Sequence, residues 1–523
     1  MSTLHLRNFL GRHWDGLALV LLFLVLLLVS LISMPLPSVA CAQDVGVLLD
    51  AGWRYFQGQR CHVDYHSPLG PLFAFLPGIF FKTFGPDYLS LKLLPFSVSL
   101  LFAAWVYLLT RDAVAKPVSL LGSIAIGLFA GGLFHPGFDY RALTFATFYN
   151  RVSYGFLSVA AVAALLPRSG AGKSKASILD ASLGMSLLAM LFLKINFFAA
   201  GVVFLAGSLL LFRRSRQEWL WLCAGAGVVI LVVGPMIGFR FDLMARDLSL
   251  ALASREGSTA GLFFFPMRNL LANADYFAIV TLLAIVVLLA TAQEPSSRRM
   301  GVSALFALLL PTCVGFGLTL MQSHGDGRCF PTMVAGAIAA CAWVSSEKLY
   351  TVNTQRISNV AVCLLTVMVA WPHAAAYHFL YGLQTEQFAG EFDSKPLKSW
   401  RVSPFNSWQE NFVPMVNEAS GLIREHAPSG SSLQYIDMAN FFSFALGMRS
   451  PKGSMLWWDD RSTYSRRSHP DETVFADTDF LLLPLTRPIQ PQPVWTEIYG
   501  SYIADSFSEA GRSANFLLLG RKQ

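Results

Sequence analysis

Long apolar runs separated by short polar segments dominate the hydrophobic pattern of the chain. Repeated apolar runs of roughly 20 residues are typical of helices that cross a lipid bilayer. The run 178–212 is too long for one helix, and Lys194 and Asn196 interrupt it near its middle, so we divide it into two spans joined by a tight outer turn. The pattern predicts eleven spans, at 17–34, 89–109, 118–134, 152–166, two within 178–212, 220–238, 277–290, 302–321, 331–344 and 360–371.

A further apolar run, 69–84, contains Pro71 and Pro77 and is followed by Gly85 and Pro86. Proline inside a helix removes a backbone hydrogen bond and clashes with the preceding turn. We therefore interpret this run as a short re-entrant or interfacial helix rather than a straight span.

The polar segment 35–88 is the first outer loop in this interpretation. Gln43, Asp50, Arg54 and Gln57 share one face at helical spacing, opposite an apolar face. This arrangement predicts a helix that lies on the membrane. Asp50 and Arg54, four residues apart, are then expected to form a solvent-exposed ion pair.

The pattern changes near the end of the last span. From there on, short apolar segments alternate with polar ones, as is typical of a small soluble domain. An amphipathic helix is predicted at 410–426. Short buried strands are predicted at 432–436, 479–485 and 515–519. We therefore divide the chain into a membrane domain, 1–377, and a small α/β domain on the outer face, 378–523.

Composition agrees with a multi-pass membrane protein. Of the 523 residues, 54% are hydrophobic and only 14% are charged, and the mean hydropathy is +0.50. The net charge of +7 comes from basic clusters between apolar runs, which orient the chain in the membrane and argue against a nucleic-acid partner. They predict a cytoplasmic amino end and an outer carboxyl end. The chain has no Asn-x-Ser/Thr acceptor, which favours a bacterial inner membrane and a periplasmic α/β domain.

The end of the first span allows two interpretations. Ala40, Cys41 and Ala42 resemble a signal-peptide cleavage site. The apolar run is longer than a usual signal-peptide core and many spans follow it, so we favour an uncleaved anchor. Cys41 and Cys61 bracket the first outer loop and are a candidate disulfide, while none of the seven cysteines has the CxxC spacing of a metal site.

Asp44 stands at the mouth of the first span, outside the polar row of the loop helix. One interpretation is an N-cap, because an Asp that begins a helix satisfies free backbone N–H groups and suits the helix dipole. The other is a carboxylate at the membrane boundary, partly desolvated and therefore able to act as a base. The residues alone leave both open.

The first outer loop follows the pattern D…A…Y…G…D…SPLGPL, from Asp44 through Ala51, Tyr55, Gly58 and Asp64 to Leu72. After a first span and before many others, this run resembles the integral-membrane glycosyltransferases of the GT-C fold. That group includes protein O-mannosyltransferases, lipid A aminoarabinose transferases and bacterial polyprenyl-phosphate-sugar mannosyltransferases. The similarity in plan covers nearly the whole chain, including an outer carboxyl-terminal α/β domain. Several members follow the first Asp with a second acid where this chain has Val45, which favours a lone base over a metal-binding pair.

The resemblance implies a GT-C-like, inverting glycosyltransferase with Asp44 as its catalytic base. The donor would be a polyprenyl-phosphate-linked sugar whose lipid tail stays among the membrane lipids, and the acceptor a hydroxyl of a lipid, glycan or protein. The base would take the proton of the attacking hydroxyl. Fixed positive charge would stabilise the departing lipid phosphate.

Candidates for that positive charge lie at the edges of the outer loops. Lys194 is the first, because a lone cation at such depth is costly unless it is paired or functional; snorkelling to the interface is the alternative. His324 and Arg328, in SHGDGRCF, follow, because flanking glycines allow close backbone approach to a ligand. There an ion pair between Asp326 and Arg328 is the alternative.

The second outer loop, HPGFDYRALTFATFYNR, adds Asp139, Arg141, Asn150 and Arg151 among aromatic residues. Such rings suit stacking on a sugar and equally suit an interfacial aromatic belt. No cofactor is firmly indicated, although Asp139 could join Asp44 around a divalent cation, Mg²⁺ or Mn²⁺. The other candidate substrate contacts in the first outer loop are Tyr55 and His66.

A transporter or flippase of lipid-linked saccharide is the alternative from a different class. It is expected to place ionisable residues mid-membrane in several spans and to show repeat symmetry, and the sequence shows neither apart from Lys194 and Asn196. A polymerase or ligase of surface polysaccharide shares the lipid-linked substrate and stays open.

Overall fold

The computed structural model describes most of the chain. The described residues are 3–135, 137–168, 173–254, 271, 273–293, 298–321, 330–346, 352–384, 388, 390–404, 411–459, 463–486 and 493–522. Of the predicted site residues, His324 and Arg328 lie outside these ranges.

Helices account for most of the described chain. In the membrane part they are α1 (Thr3–Ile32), α2 (Ala42–Phe56), α3 (Leu72–Phe84), α4 (Leu94–Thr110), α5 (Lys116–Ala130), α6 (Phe148–Leu165), α7 (Lys173–Leu191), α8 (Ile195–Leu211), α9 (Arg216–Val233), α10 (Phe241–Ala253), α11 (Ala274–Gln293), α12 (Arg298–Met321), α13 (Phe330–Ser345) and α14 (Val352–Gly382). Towards the carboxyl end they are α15 (Phe412–His426), α16 (Phe442–Leu446) and α17 (Pro493–Ser506).

Each of the eleven predicted spans coincides with one of these helices. Within the described residues, six helical stretches are long and apolar enough to cross a membrane: Trp14–Ile32, Tyr88–Thr110, Ser174–Leu191, Arg216–Ile237, Arg299–Thr319 and Gln355–Gly382. The predicted division of the run 178–212 is confirmed, since α7 ends at Leu191 and α8 begins at Ile195. Helix α3 is short, with Pro77 inside it, as the prolines predicted. The protein is thus a helical, multi-pass membrane protein.

A four-stranded sheet follows the membrane helices. Its strands are β1 (Leu433–Tyr435), β2 (Phe480–Pro484), β3 (Phe507–Arg512) and β4 (Phe516–Arg521), in the order β1-β2-β4-β3. The first pair is parallel and the others are antiparallel. The three predicted strands and the predicted helix α15 are confirmed in type and place. Strand β3 was missed because its sequence, FSEAGR, has neither a continuous apolar run nor clean alternation. The division near residue 377 stays a prediction.

Helix α2 packs against α3 and against α16 near the carboxyl end, while its predicted place on the membrane stays a prediction. Asp50 and Arg54 pair over 2.9 Å with both side chains fully buried, so the predicted solvent-exposed pair is wrong. Ser450 donates to Asp50 over 3.4 Å, and Arg54 donates to the Pro451 carbonyl over 3.1 Å. Gln57 exchanges further bonds with the same segment. The polar row of α2 is therefore the surface on which the carboxyl-terminal domain docks.

Apolar contacts strengthen this interface. Phe81 of α3 stacks on Phe444 of α16 with ring centres 5.1 Å apart. Gly46 of α2 faces Phe441 so closely that an added Cβ would lie 2.7 Å from its ring. One large apolar cluster contains buried side chains from both parts. The interface thus fixes α2, and with it Asp44, against both domains.

Candidate active site

Asp44 lines a small cavity where four parts of the chain meet. Its lining residues are Asp44, Val47 and Leu48 of α2, Phe73 of α3, Phe145, Thr147 and Tyr149 around the start of α6, and Trp457 of the carboxyl-terminal domain. The space not filled by protein atoms is about 260 Å³, which includes open solvent at the mouth of the cavity. We call this space the Asp44 cavity. One carboxylate therefore faces aromatic side chains at the boundary between the membrane helices and the outer domain.

The structure places Asp44 inside the first turn of its helix rather than at the cap. Cys41, with φ of 52°, is the N-cap residue of α2, and its side chain makes no capping bond. The amino end of a helix stabilises a nearby negative charge. Burial and the neighbouring Asp44 carboxylate raise the pKa of Cys41 to about 12, so this thiol is neutral. The N-cap position therefore belongs to Cys41, so the N-cap interpretation of Asp44 is wrong, and Asp44 is an acidic residue of the first turn.

Lys194 lies next to Tyr149, one of the residues that line the Asp44 cavity. Its Nζ donates to Oδ1 of Asn150 over 2.8 Å and lies 5.0 Å from the centre of the Tyr149 ring. Tyr149 and Asp44 both line the Asp44 cavity, so the cation lies against a residue of that cavity. The loop between α7 and α8 thus carries Lys194 to Tyr149, and its role in substrate binding stays a prediction.

Thr147 is a further residue of the cavity, and sequence reasoning did not single it out. Its backbone has φ of 53°, in the left-handed region that a β-branched residue rarely adopts. Its hydroxyl is buried and makes no hydrogen bond with the described residues. A buried hydroxyl without a partner costs free energy, and strained backbone is often found at ligand sites. These features point to a hydrogen bond with a ligand.

The remaining predicted residues of the second outer loop lie in two different environments. Asp139 is exposed and accepts a bond from the backbone N–H of Arg141 over 2.9 Å, and Arg141 extends beside Tyr140. Arg151 is fully buried and donates to the carbonyls of Phe134 and Thr144. Arg151 thus holds the loop in shape. Their predicted substrate contacts are untested.

Tyr55 and His66 are the candidate substrate contacts of the first outer loop, and neither is among the residues that line the Asp44 cavity. Tyr55 comes eleven positions after Asp44 in α2, which corresponds to roughly 16 Å along the helix. The Lys82 ammonium lies 4.3 Å from the centre of the Tyr55 ring. His66 Nδ1 lies 2.7 Å from Oδ1 of Asp247, a carboxylate of α10 that sequence reasoning also missed. The predicted substrate contacts of Tyr55 and His66 stay predictions.

The sequence also offered a Cys41–Cys61 disulfide and a divalent metal site. Cys41 and Cys61 are free thiols, so the candidate disulfide is wrong. Among the described residues, no group of three or more His, Cys, Asp or Glu side chains is placed to hold a metal ion. Binding of Mg²⁺ or Mn²⁺ by Asp44 and Asp139 stays a prediction.

Comparisons with known proteins found likenesses of structure only. No family model matches the chain, and no curated protein matches it. The fold is similar to that of ArnT from Cupriavidus metallidurans, with a TM-score of 0.45, 14% identity, and coverage of 97% of this chain and 98% of that one. The same enzyme bound to undecaprenyl phosphate gives a TM-score of 0.45 and 13% identity over the same shares.

A more distant likeness is to the arabinofuranosyltransferase AftD from Mycobacteria, with a TM-score of 0.40, 13% identity, and coverage of 98% of this chain and 40% of that one. The Archaeoglobus fulgidus oligosaccharyltransferase in its apo form gives a TM-score of 0.37 and 11% identity, over 90% of this chain and 70% of that one. At these values the likeness concerns the overall arrangement of the chain and says nothing about its reaction.

Proposed function

We propose that this protein is a membrane glycosyltransferase. It moves a sugar from a polyprenyl-phosphate-linked donor to an acceptor hydroxyl at the periplasmic face of a bacterial inner membrane, with inversion. The observation that carries the proposal is that Tyr149 lines the Asp44 cavity and has the Lys194 ammonium 5.0 Å from its ring centre, so that one residue connects the carboxylate's cavity to a cation. The sequence resemblance of the Asp44 loop supports it.

The two charged groups suit the two ends of such a reaction. The acceptor oxygen attacks the anomeric carbon and loses its proton to the Asp44 carboxylate. The bond between that carbon and the phosphate oxygen breaks, and its electron pair leaves with the lipid phosphate. Lys194 stabilises the negative charge that develops there. Attack opposite the leaving group inverts the anomeric centre.

The other cavity residues suit a sugar. Tyr149 and Trp457 lie edge to face with ring centres 6.4 Å apart, and Phe73 lies 5.4 Å from Tyr149. Aromatic faces pack against the C–H faces of sugars, and the Thr147 hydroxyl supplies a directional hydrogen bond. Since Trp457 comes from the carboxyl-terminal domain, that domain forms part of the site.

The test is transfer by the purified full-length protein from radiolabelled polyprenyl-phosphate sugars, comparing wild type with Asp44→Asn. We expect Asp44→Asn to lower kcat by about 10²- to 10⁴-fold while the donor still binds, because only the proton acceptor is lost. Asp112→Asn is the matched control, since Asp112 is an exposed carboxylate paired with Arg111 over 3.7 Å. Unchanged transfer by Asp44→Asn would refute its role as the base. Movement of the lipid across the membrane without transfer would favour a flippase instead.

A further inference from the structure

A fully buried carboxylate, Asp247, joins helix α10 to the segment 62–67. Asp247 of α10 lies with Oδ2 3.0 Å from Nδ1 of His62 and Oδ1 2.7 Å from Nδ1 of His66. The backbone N–H of Ser67 donates to Oδ2 over 3.2 Å. Arg246 approaches Oδ1 from the exposed side at 3.5 Å. Asp247 thus fixes the chain from 62 to 67 against α10.

The chain that Asp247 holds leads directly to the loop that carries Lys194. Ser67 and Leu69 exchange two hydrogen bonds, which make a tight turn. Gly70 then donates its N–H to the Leu193 carbonyl over 3.1 Å. Leu72 donates to the Phe192 carbonyl over 3.0 Å. The backbone immediately before Lys194 is therefore hydrogen-bonded to the segment that Asp247 anchors.

Only glycine fits at the point of contact. A Cβ on Gly70 would lie 2.1 Å from the Phe192 carbonyl oxygen, far inside van der Waals contact. The close approach lets the two backbones bond directly, without a flexible side chain between them. The position of Lys194 thus depends on the placement of the 67–72 segment.

Helix α10 also holds the same loop from a second side. The Phe192 ring lies 6.1 Å from that of Phe241, and Phe192 shares a buried apolar cluster with Met244 and Leu248. These three partners belong to the helix that carries Asp247. Two independent contacts therefore link this carboxylate to the loop.

We propose that Asp247 is a positioning residue for Lys194, which it acts on through Gly70 and through the packing of α10 on Phe192. The inference rests on the proposed function, because it assigns Lys194 to the donor phosphate. Asp247 itself touches no substrate in this mechanism.

The test compares wild type, Asp247→Asn and Asp64→Asn by hydrogen–deuterium exchange and by transfer kinetics, on the purified full-length protein. Asp64 is the matched control, since it lies in the same loop but binds Arg60 and Lys452 instead. We expect faster exchange at 69–73 and 192–196 in Asp247→Asn only. With a lipid-linked sugar donor, kcat/KM of Asp247→Asn should fall by about 10²-fold. This is the loss expected when a functional group, here the Lys194 ammonium, is displaced by about 1 Å.

A double variant separates positioning from general loss of structure. If Asp247 acts through Lys194, adding Asp247→Asn to Lys194→Met lowers kcat/KM no further, within about twofold. Full additive loss would overturn the proposal, as would unchanged exchange at 192–196. His62→Gln, which removes the imidazole bonded to Asp247, is the milder second variant. It should show the same changes in exchange and in kcat/KM as Asp247→Asn, but smaller ones. Absence of transfer by wild type would refute the proposed function, while the exchange comparison would still decide the coupling.

Discussion

Lys194 and Asn150 form a hydrogen bond of 2.8 Å between the loop that joins α7 to α8 and the first turn of α6. The bond fixes a cation that a flexible side chain would otherwise carry to the interface. The ammonium of Lys194 also lies against the ring of Tyr149, the residue before Asn150, and this ring lines the Asp44 cavity. The arrangement orders the cation before a substrate arrives.

Replacing Lys194 with Met should lower kcat/KM for a polyprenyl-phosphate-linked donor by about 10²- to 10³-fold, as loss of one group that stabilises developing charge does. Lys194→Arg should retain part of the rate, since it keeps the charge with a different shape. The measurement is steady-state transfer with the acceptor in excess. Lys82→Met is the control, because Lys82 lies over the Tyr55 ring, away from the cavity. Equal losses in the two Met variants would contradict the assignment of Lys194.

Replacing Thr147 with Val tests whether its buried hydroxyl binds the substrate. Val has nearly the same shape and is also branched at Cβ, so the backbone strain at φ of 53° is unchanged. We expect KM for the donor to rise by up to about tenfold, the value of one lost hydrogen bond, while Thr147→Ser stays near wild type. The readout is KM for the donor, with the thermal midpoint measured in parallel. An unchanged KM in Thr147→Val would exclude the hydroxyl from binding.

The sequence predicted the parts of the fold that depend on local pattern. Apolar length located the spans, and a polar interruption located the Lys194 loop, because both signals lie within one segment of chain. It failed for Asp50 and Arg54, since helical spacing says which residues share a face but not what covers that face. The segment that packs on the polar face of α2 is 448–451, nearly 400 positions away in the sequence.

The residues of the Asp44 cavity and its surroundings likewise show that local sequence pattern does not reveal tertiary contacts. Asp44 was found by its place in a pattern, whereas Thr147, Trp457 and Asp247 carry no local signal. The left-handed backbone of Thr147 and the burial of Asp247 are consequences of tertiary contacts. Such residues become visible only when distant segments are brought together.

The cluster around Asp247 predicts how stability depends on pH. Burial lowers the pKa of His62, but the neighbouring Cys61 and Asp247 outweigh it and raise that pKa to about 10, from an ordinary 6.5. Since the folded-state pKa is the higher one, the stabilisation is fully present below about pH 6.5 and is lost as the pH rises through about 10. The thermal midpoint of wild type should therefore fall between pH 7 and roughly pH 10.5.

His62→Gln should show a flatter profile over that range, because the variant has no imidazolium to deprotonate at this site. His426→Gln, altered at a partly exposed histidine of α15, is the control and should follow the wild-type slope. Parallel profiles for wild type and His62→Gln would show that the charge of His62 contributes nothing to stability.

The crossing of α7 and α9 gives a last prediction, about how the membrane helices pack. A Cβ on Gly225 would lie 2.0 Å from the Ala181 carbonyl oxygen, whereas a Cβ on Gly227, in the same helix, would meet nothing within 4 Å. Small residues at such crossings let helix backbones approach closely, and their van der Waals contacts stabilise membrane helix pairs. Gly225→Ala should therefore cost about 1–3 kcal/mol through overpacking. Gly227→Ala should be neutral or slightly stabilising, because alanine favours helix over glycine. Thermal unfolding of the two variants in one detergent compares them directly, and equal midpoints would mean that α7 and α9 do not meet at this glycine.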